Sequence, residues 1–162
     1  MQRRRFLALL AASYGRGGQA NEGLRVLAEA LAVAESSGER LYEAEIHRLR
    51  GELTLHLKDG AQSPGNAPHV KVSPVKSQLS RTLGREVEGY FVKAIAVARA
   101  QQAKSWELRA AVSLSRLWRR QGRIAEAHAL LSPLYGWFTE GFDTPDLREA
   151  NNLLHELSQE LR

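Results

Sequence analysis

The sequence predicts an all-α fold, a solenoid of about three stacked helix hairpins closed by a C-terminal capping helix. Two observations predict it. Apolar residues recur at steps of three and four along most of the chain, and one skeleton of residues occurs twice at a constant offset. Its copies are Leu10, Ala11, Tyr14, Gly18, Gly23, Leu27, Ala30 and Leu114, Ser115, Trp118, Gly122, Ala127, Leu131, Leu134. Such a hairpin cannot bury its apolar face alone, so copies must stack.

The first half of the chain carries three apolar stripes at helical spacing. They predict helices over residues 3–14, 19–36 and 41–57. Gly18 follows the first helix and Gly38 the second, because glycine adopts the left-handed backbone of a helix end at low cost. The stripes are Phe6, Leu7, Leu10, Tyr14, then Leu24, Leu27, Leu31, Ala34, then Tyr42, Ile46, Leu49, Leu53 and Leu57.

Residues 59–84 differ in composition and predict a flexible insertion within the middle repeat. The segment is rich in proline, glycine, serine and lysine and has few large apolar residues, so burial cannot offset its ordering entropy. A tolerated surface insertion is one interpretation, because lengthening an existing loop costs little. The other is a basic recognition segment that uses Lys71, Lys76 and Arg81.

The second half predicts four further helices. They cover residues 85–101, 105–121, a stretch from Ile124 and a capping helix over 144–162. Pro133 predicts a kink or break, because an interior proline removes a hydrogen bond and clashes with the preceding turn. Thr144 and Pro145 form a helix start, with a cap followed by proline at the first helical position. The last helix shields the end of the stack, or it pairs with a second chain to form a homodimer. Its predicted apolar stripe is Leu147, Ala150, Leu154, Leu157 and Leu161.

Composition defines the broad class. The 162 residues are 43% hydrophobic and 25% charged, which fits a single domain over residues 1–162. The absence of cysteine excludes disulfides and thiolate metal sites, and we expect a cytoplasmic protein. Arg3–Arg5 and the apolar run after them also match the start of an export signal. That run overlaps the repeat skeleton, so we interpret it as the first helix.

The repeated skeleton resembles the tetratricopeptide repeat. More specifically, residues 47–53, 104–111, 117–118 and 135–147 are similar to the C-terminal region of large bacterial signalling proteins. Those proteins join an adenylate or guanylate cyclase domain, an AAA-type ATPase domain and a tetratricopeptide tail. The resemblance implies a right-handed solenoid that serves as a regulatory or scaffolding part of a signalling system.

The sequence lacks recognisable motifs for catalysis. It contains no G-x-x-x-x-G-K-[ST] phosphate-binding loop, no G-x-S-x-G and no recognisable pair of cyclase aspartates. None of its histidines has the spacing of a zinc site. We therefore expect no enzymatic activity, no cofactor and no metal. Trp106, Trp118 and Trp137 are expected to fill space between helices.

Arginines form the strongest functional pattern. Arginine provides 18 of the 23 basic residues, and the formal net charge is +5 with a pI near 9.9. Arg109, Arg116 and Arg120 recur at steps of seven and four and share a helix face with Arg119. In tetratricopeptide arrays the first helix of each repeat lines a concave groove, and the same alignment brings Arg16 and Arg48 toward it.

This pattern predicts that the groove binds an acidic segment of a protein or peptide partner, because arginine grips carboxylates bidentately. Arg16, Arg48, Arg109, Arg116, Arg119 and Arg120 are the candidate contacts. Two alternatives stay open. The charges are a solvated helix face, or the basic face and the insertion bind nucleic acid or another polyanion. No membrane partner is expected.

Overall fold

The computed structural model describes residues 19–37, 42–60 and 74–162, and the regular secondary structure in these ranges is α-helical. The helices are α1 (Ala20–Ser37), α2 (Glu43–Gly60), α3 (Pro74–Ala100), α4 (Lys104–Arg120), α5 (Ile124–Tyr135) and α6 (Pro145–Glu160). The predicted all-α class is therefore confirmed. The predicted helix over residues 3–14 lies outside the described residues. The chain divides into two compact units, residues 1–90 and 91–162.

In the first unit, α1 and α2 form a hairpin around an apolar core. The short connection between them requires the two packed helices to run antiparallel. Their predicted stripes supply the core, where Leu27, Ala30 and Ile46 are fully buried. Arg50 of α2 lies over the ring of Tyr90 at 4.7 Å from its centroid, within this unit.

Helix α3 is longer than the sequence predicted. The prediction begins this helix at residue 85, whereas α3 begins at Pro74. Residues 74–84 therefore belong to a helix, which corrects that part of the predicted insertion; residues 61–73 lie outside the described residues. Proline at the first helical position suits a helix start, because its φ is already helical and its missing N–H has no helical partner there.

In the second unit, α4 and α5 form the hairpin that the repeated skeleton predicts. Leu114, Ala127 and Leu131 of the second copy are buried. Ser115, the small residue of the skeleton, is fully buried, and its hydroxyl donates a hydrogen bond to the carbonyl of Ala127 at 3.2 Å. Small residues at these positions let the two helices approach closely.

The successive helices α3 and α4 both end within residues 91–162, and they end in the same turn. After α3, the N–H of Ala103 donates to Ala98 O and the N–H of Gln102 donates to Arg99 O. After α4, the N–H of Arg123 donates to Trp118 O and the N–H of Gly122 donates to Arg119 O, which is the same pattern. This is the Schellman arrangement, which requires a left-handed residue at its penultimate position. That residue is Gly122 in one turn, at φ 77°, and Gln102 in the other, at φ 53°.

Helix α6 packs on both α4 and α5. Thr144 takes the predicted cap position with Pro145 at the first helical position. Its hydroxyl donates to Gly141 O at 2.7 Å instead of capping the helix, so it fixes the preceding loop. The buried stripe is Leu147, Ala150, Leu153 and Leu157. Pro133 lies in the last turn of α5, which ends at Tyr135.

Candidate functional site

Four arginines of α4 form the arginine row: Arg109, Arg116, Arg119 and Arg120. Arg109 and Arg119 are partly exposed, with 35% and 36% of their side-chain surface accessible, and Arg116 is 55% exposed. Arg120 is exposed as well. Val112, which the sequence places on the same face, is 4% exposed. This face of α4 therefore carries accessible guanidinium groups but is not exposed to solvent along its whole length, because Val112 between them is buried.

Carboxylates of α6 meet the arginine row. Arg116 Nη1 lies 2.6 Å from Glu149 Oε1, and Arg109 Nε lies 3.7 Å from Asp146 Oδ1. Arg119 pairs with two acids, contacting Glu160 Oε1 through Nη2 at 2.6 Å and Glu156 through Nη1. We call Asp146, Glu149, Glu156 and Glu160 the acidic ladder.

The acidic ladder is a functional feature that sequence reasoning missed. Its four residues are spaced at steps of three, seven and four, which places them on one face of a helix. The arginine row, at steps of seven, three and one, likewise lies on one face of its helix. The sequence did contain a signal for the acidic ladder, namely two helix faces of opposite charge. Helices of neighbouring repeats lie side by side in a repeat array, so oppositely charged faces on them are expected to meet.

The two stripes balance each other electrostatically. Residues 104–162 contain eight basic and eight acidic side chains, so the surplus of positive charge resides earlier in the chain. The hydrogen bond from Arg119 to Glu160 raises the pKa of that guanidinium, which therefore stays charged at any physiological pH. The surface presents alternating fixed charges rather than a uniformly basic patch.

The other two candidate contacts lie elsewhere. Arg48 is 9% exposed and is held on α2 by Glu45, at 2.8 Å, and Glu52, at 2.5 Å. Glu45 and Glu52 lie three and four residues from Arg48, which is the spacing of ion pairs on a helix surface. An arginine enclosed by two carboxylates of its own helix acts in the packing of α2, and we leave it out of the candidate surface. Arg16 lies outside the described residues.

A second charged cluster joins α3 to α4 at the base of the arginine row. Glu107 is 1% exposed and accepts hydrogen bonds from Arg99 Nε at 2.6 Å and Lys104 Nζ at 2.8 Å. Burial raises the pKa of Glu107, but the hydrogen bonds from Lys104 and Arg99 outweigh it, and the pKa lies below its ordinary value. The carboxylate therefore stays ionised and holds the start of α4 in place.

The aromatic and histidine residues have mixed environments. Trp118 is partly buried beneath Arg123, whose guanidinium lies 4.5 Å from the ring centroid. Trp137 is 59% exposed, which corrects the prediction that it fills space between helices. His47 is buried, with Nε2 3.8 Å from Glu43 Oε1. In the described part of the chain, no three metal-ligating side chains cluster.

Comparisons with known proteins add little. No protein-family model matches the chain, and no curated protein matches it either. A solved structure of a kinesin light chain from Podosopora anserina, described as having nearly identical TPR-like repeats, is 14% identical. The match covers 98% of this chain and 88% of that chain with a TM-score of 0.44, a likeness too low to carry functional inference. Among the described residues, no helix is both long and apolar enough to cross a membrane.

Proposed function

We propose that this chain is a protein-interaction module and that the arginine row binds an acidic segment of a partner protein. The observation that supports this most directly is the acidic ladder. Its carboxylates already occupy the row at hydrogen-bonding distance at Arg116 and Arg119. A series of acids carried on one helix therefore fits the spacing of these guanidinium groups.

A partner would bind by sharing or exchanging these contacts. Each guanidinium has five N–H donors, and Arg116 places one η nitrogen against Glu149. Its side chain is 55% exposed and Glu149 is 42% exposed, so solvent reaches both ends of this pair. Ion pairs at this exposure are worth about 0–1 kcal/mol. A partner carboxylate that grips the same arginine bidentately can therefore displace one from the ladder.

The proposed context is a regulatory or scaffolding part of a bacterial signalling protein of the cyclase and ATPase type. Support comes from the sequence resemblance in residues 47–53, 104–111 and 135–147. In that context the module works in the cytoplasm and has no activity of its own. The proposed role of helix α6 is a cap, and burial of Leu147, Ala150, Leu153 and Leu157 within their own chain supports it.

Binding of nucleic acid is the second candidate, and the charge balance of residues 104–162 argues against it on this surface. Phosphate binding depends on a clustered surplus of basic side chains, which these residues lack. Lys71, Lys76 and Arg81 were the basic residues of the predicted insertion, and the last two belong to α3; they remain candidate phosphate contacts outside the arginine row. A gel-shift titration of a DNA duplex at two salt concentrations should show no salt-dependent complex; a steeply salt-dependent one would favour the alternative.

Charge reversal tests the proposed surface. A fluorescein-labelled peptide of six glutamates serves as the probe, and binding to the full chain is followed by anisotropy. The double variant Arg116→Glu, Arg120→Glu should lose at least tenfold in affinity, because attraction becomes repulsion at two contacts. The variant Arg25→Glu, Arg148→Glu carries the same charge change on exposed residues outside the row and should bind nearly as the native chain does.

Circular dichroism separates this effect from unfolding, since both double variants should keep native helical content. Equal binding by the two variants would show that the probe responds to net charge alone, and the arginine row would then have no special role.

A further inference from the structure

A cavity of about 700 Å³ lies where α4 and α6 begin, and the loop 136–144 between α5 and α6 borders it. This volume falls within the range of about 300–1,000 Å³ that is typical of ligand pockets. We call it the α4–α6 pocket. Its lining comes from residues 105–147, within the second unit.

The loop that borders the pocket has a fixed shape. Gly141 adopts φ 76°, a left-handed conformation that side chains disfavour. The backbone N–H and the hydroxyl of Thr144 both donate to Gly141 O, at 2.9 Å and 2.7 Å. A pocket held this way is formed before a ligand arrives, which reduces the ordering cost of binding.

Apolar and aromatic side chains make up much of the lining. Leu108 and Leu147 are buried residues that line the pocket, and Trp137 and Phe138 form an aromatic wall. Their rings meet edge to face with centroids 5.2 Å apart. Trp137 remains 59% exposed, although an exposed indole of this size gains free energy when a partner covers it.

The charged residues of the lining are both acidic. They are Glu140 and Asp146, and none of the lining residues is basic. Two cations contact residues of the lining, and each already faces a carboxylate. Lys104 Nζ lies 5.8 Å from the centroid of the Trp137 ring and 2.8 Å from Glu107, and Arg109 Nε lies 3.7 Å from Asp146 Oδ1. Charge complementarity therefore favours a cationic group at the rim, next to an apolar group within.

We propose that the α4–α6 pocket binds a partner segment in which an aromatic side chain is followed by arginine or lysine. The aromatic ring packs against Trp137 and the two leucines, and the cation pairs with Glu140 at the rim. This site differs in chemistry from the arginine row, and it stands whether or not that row binds acidic segments. A partner that used both would carry a basic and aromatic anchor beside its acidic segment.

A pair of capped dipeptides tests the chemistry on the full chain. N-acetyl-Phe-Arg-amide and N-acetyl-Phe-Glu-amide are titrated separately while ¹⁵N-labelled protein is observed by NMR. The arginine peptide should shift backbone amide signals within residues 137–147. It should also bind at least fivefold tighter than the glutamate peptide does. The glutamate peptide is a stringent control, because helices α4 and α6 begin at this cavity and helix N-termini favour anions. If the helix ends determined binding, the glutamate peptide would bind more tightly than the arginine peptide.

Equal or tighter binding of the glutamate peptide would overturn the proposal. So would arginine-peptide shifts that fall outside the pocket at saturation, or the absence of shifts at millimolar concentrations.

Matched variants test the two halves of the pocket. Trp137→Ala should lower the affinity for the arginine peptide about tenfold, as expected for an aromatic anchor. Glu140→Lys should lower that affinity about fivefold or more, because it replaces the carboxylate that pairs with the cation. The controls are Phe142→Ala and Asp143→Lys, exposed residues of the same loop that do not line the pocket. Losses as large in the controls as in their counterparts would overturn the assignment. All four positions are exposed, so folding should be retained.

Discussion

Gln102 and Gly122 occupy the same position in two helix-ending turns, yet only one of them is glycine. Both adopt positive φ, at 53° and 77°. A side chain in this conformation costs about 1 kcal/mol, because Cβ approaches the following carbonyl oxygen. Gly122 was predicted from the sequence as a turn glycine. The turn at Gln102 was not assigned this conformation, since glutamine gives no signal for it.

Replacing Gln102 by glycine should therefore stabilise the second unit by about 0.5–1 kcal/mol, because relief of strain exceeds the entropy that glycine adds to the unfolded chain. Urea unfolding followed by tryptophan fluorescence measures it, since Trp106, Trp118 and Trp137 all lie in residues 91–162. Gly122→Ala is the mirror-image control and should destabilise by a similar amount. A destabilised Gln102→Gly would mean that the glutamine side chain makes contacts worth more than its strain.

At the scale of the helices, the sequence predicted most elements because their cores follow a simple period. Most residues of the predicted stripes of α1 and α2 lie in or against the core where the period of 3.6 places them. Leu27, Ala34, Ile46, Leu49 and Leu53 are buried, and Leu24, Leu31, Tyr42 and Leu57 are partly buried against them. The start of α3 was wrong, because Pro74 is equally compatible with a loop and with the first position of a helix. The residues after the proline decide between the two, and their helix propensities separate the alternatives only weakly.

Helix α6 shows a different limit of periodicity. The predicted stripe used Leu154 and Leu161, whereas Leu153 is buried and Leu161 is 48% exposed. The reason is tertiary: α6 packs on both α4 and α5, so the buried face is rotated toward the space between them. A sequence pattern contains both leucines and does not indicate which neighbour each will meet.

Two leucines of α6 distinguish a cap from a dimer contact. Leu157→Ala should destabilise the second unit by about 2–5 kcal/mol, because it leaves a cavity at a fully buried position. Leu161→Ala should change stability by less than about 1 kcal/mol, since half of its surface is already exposed. Unfolding is measured at two protein concentrations. A stability that rises with concentration and is reduced strongly by Leu161→Ala would indicate that the last helix pairs with a second chain.

At the scale of the whole molecule, the sequence located the arginine row but not the charges that face it. The row depends on spacing within one helix, which a sequence displays directly. Its pairing with Asp146, Glu149, Glu156 and Glu160 joins residues 33 to 41 positions apart and depends on α6 lying against α4. Arg48 is 9% exposed and pairs with Glu45 and Glu52 of its own helix, so its low accessibility depends on the packing of α2 as well as on local spacing. Local pattern predicts which charges share a face, and packing decides which of them remain accessible.

The central claim is that the arginine row is shared between the acidic ladder and an acidic partner. Affinity of the labelled six-glutamate peptide for the double variant Glu149→Gln, Glu156→Gln measures this most directly. Removing the internal competitors should tighten binding about threefold to tenfold relative to the native chain. The control Glu126→Gln, Asp143→Asn has the same net charge but leaves the ladder intact, and it should tighten binding far less. Equal tightening in both variants, or none in the first, would contradict the claim.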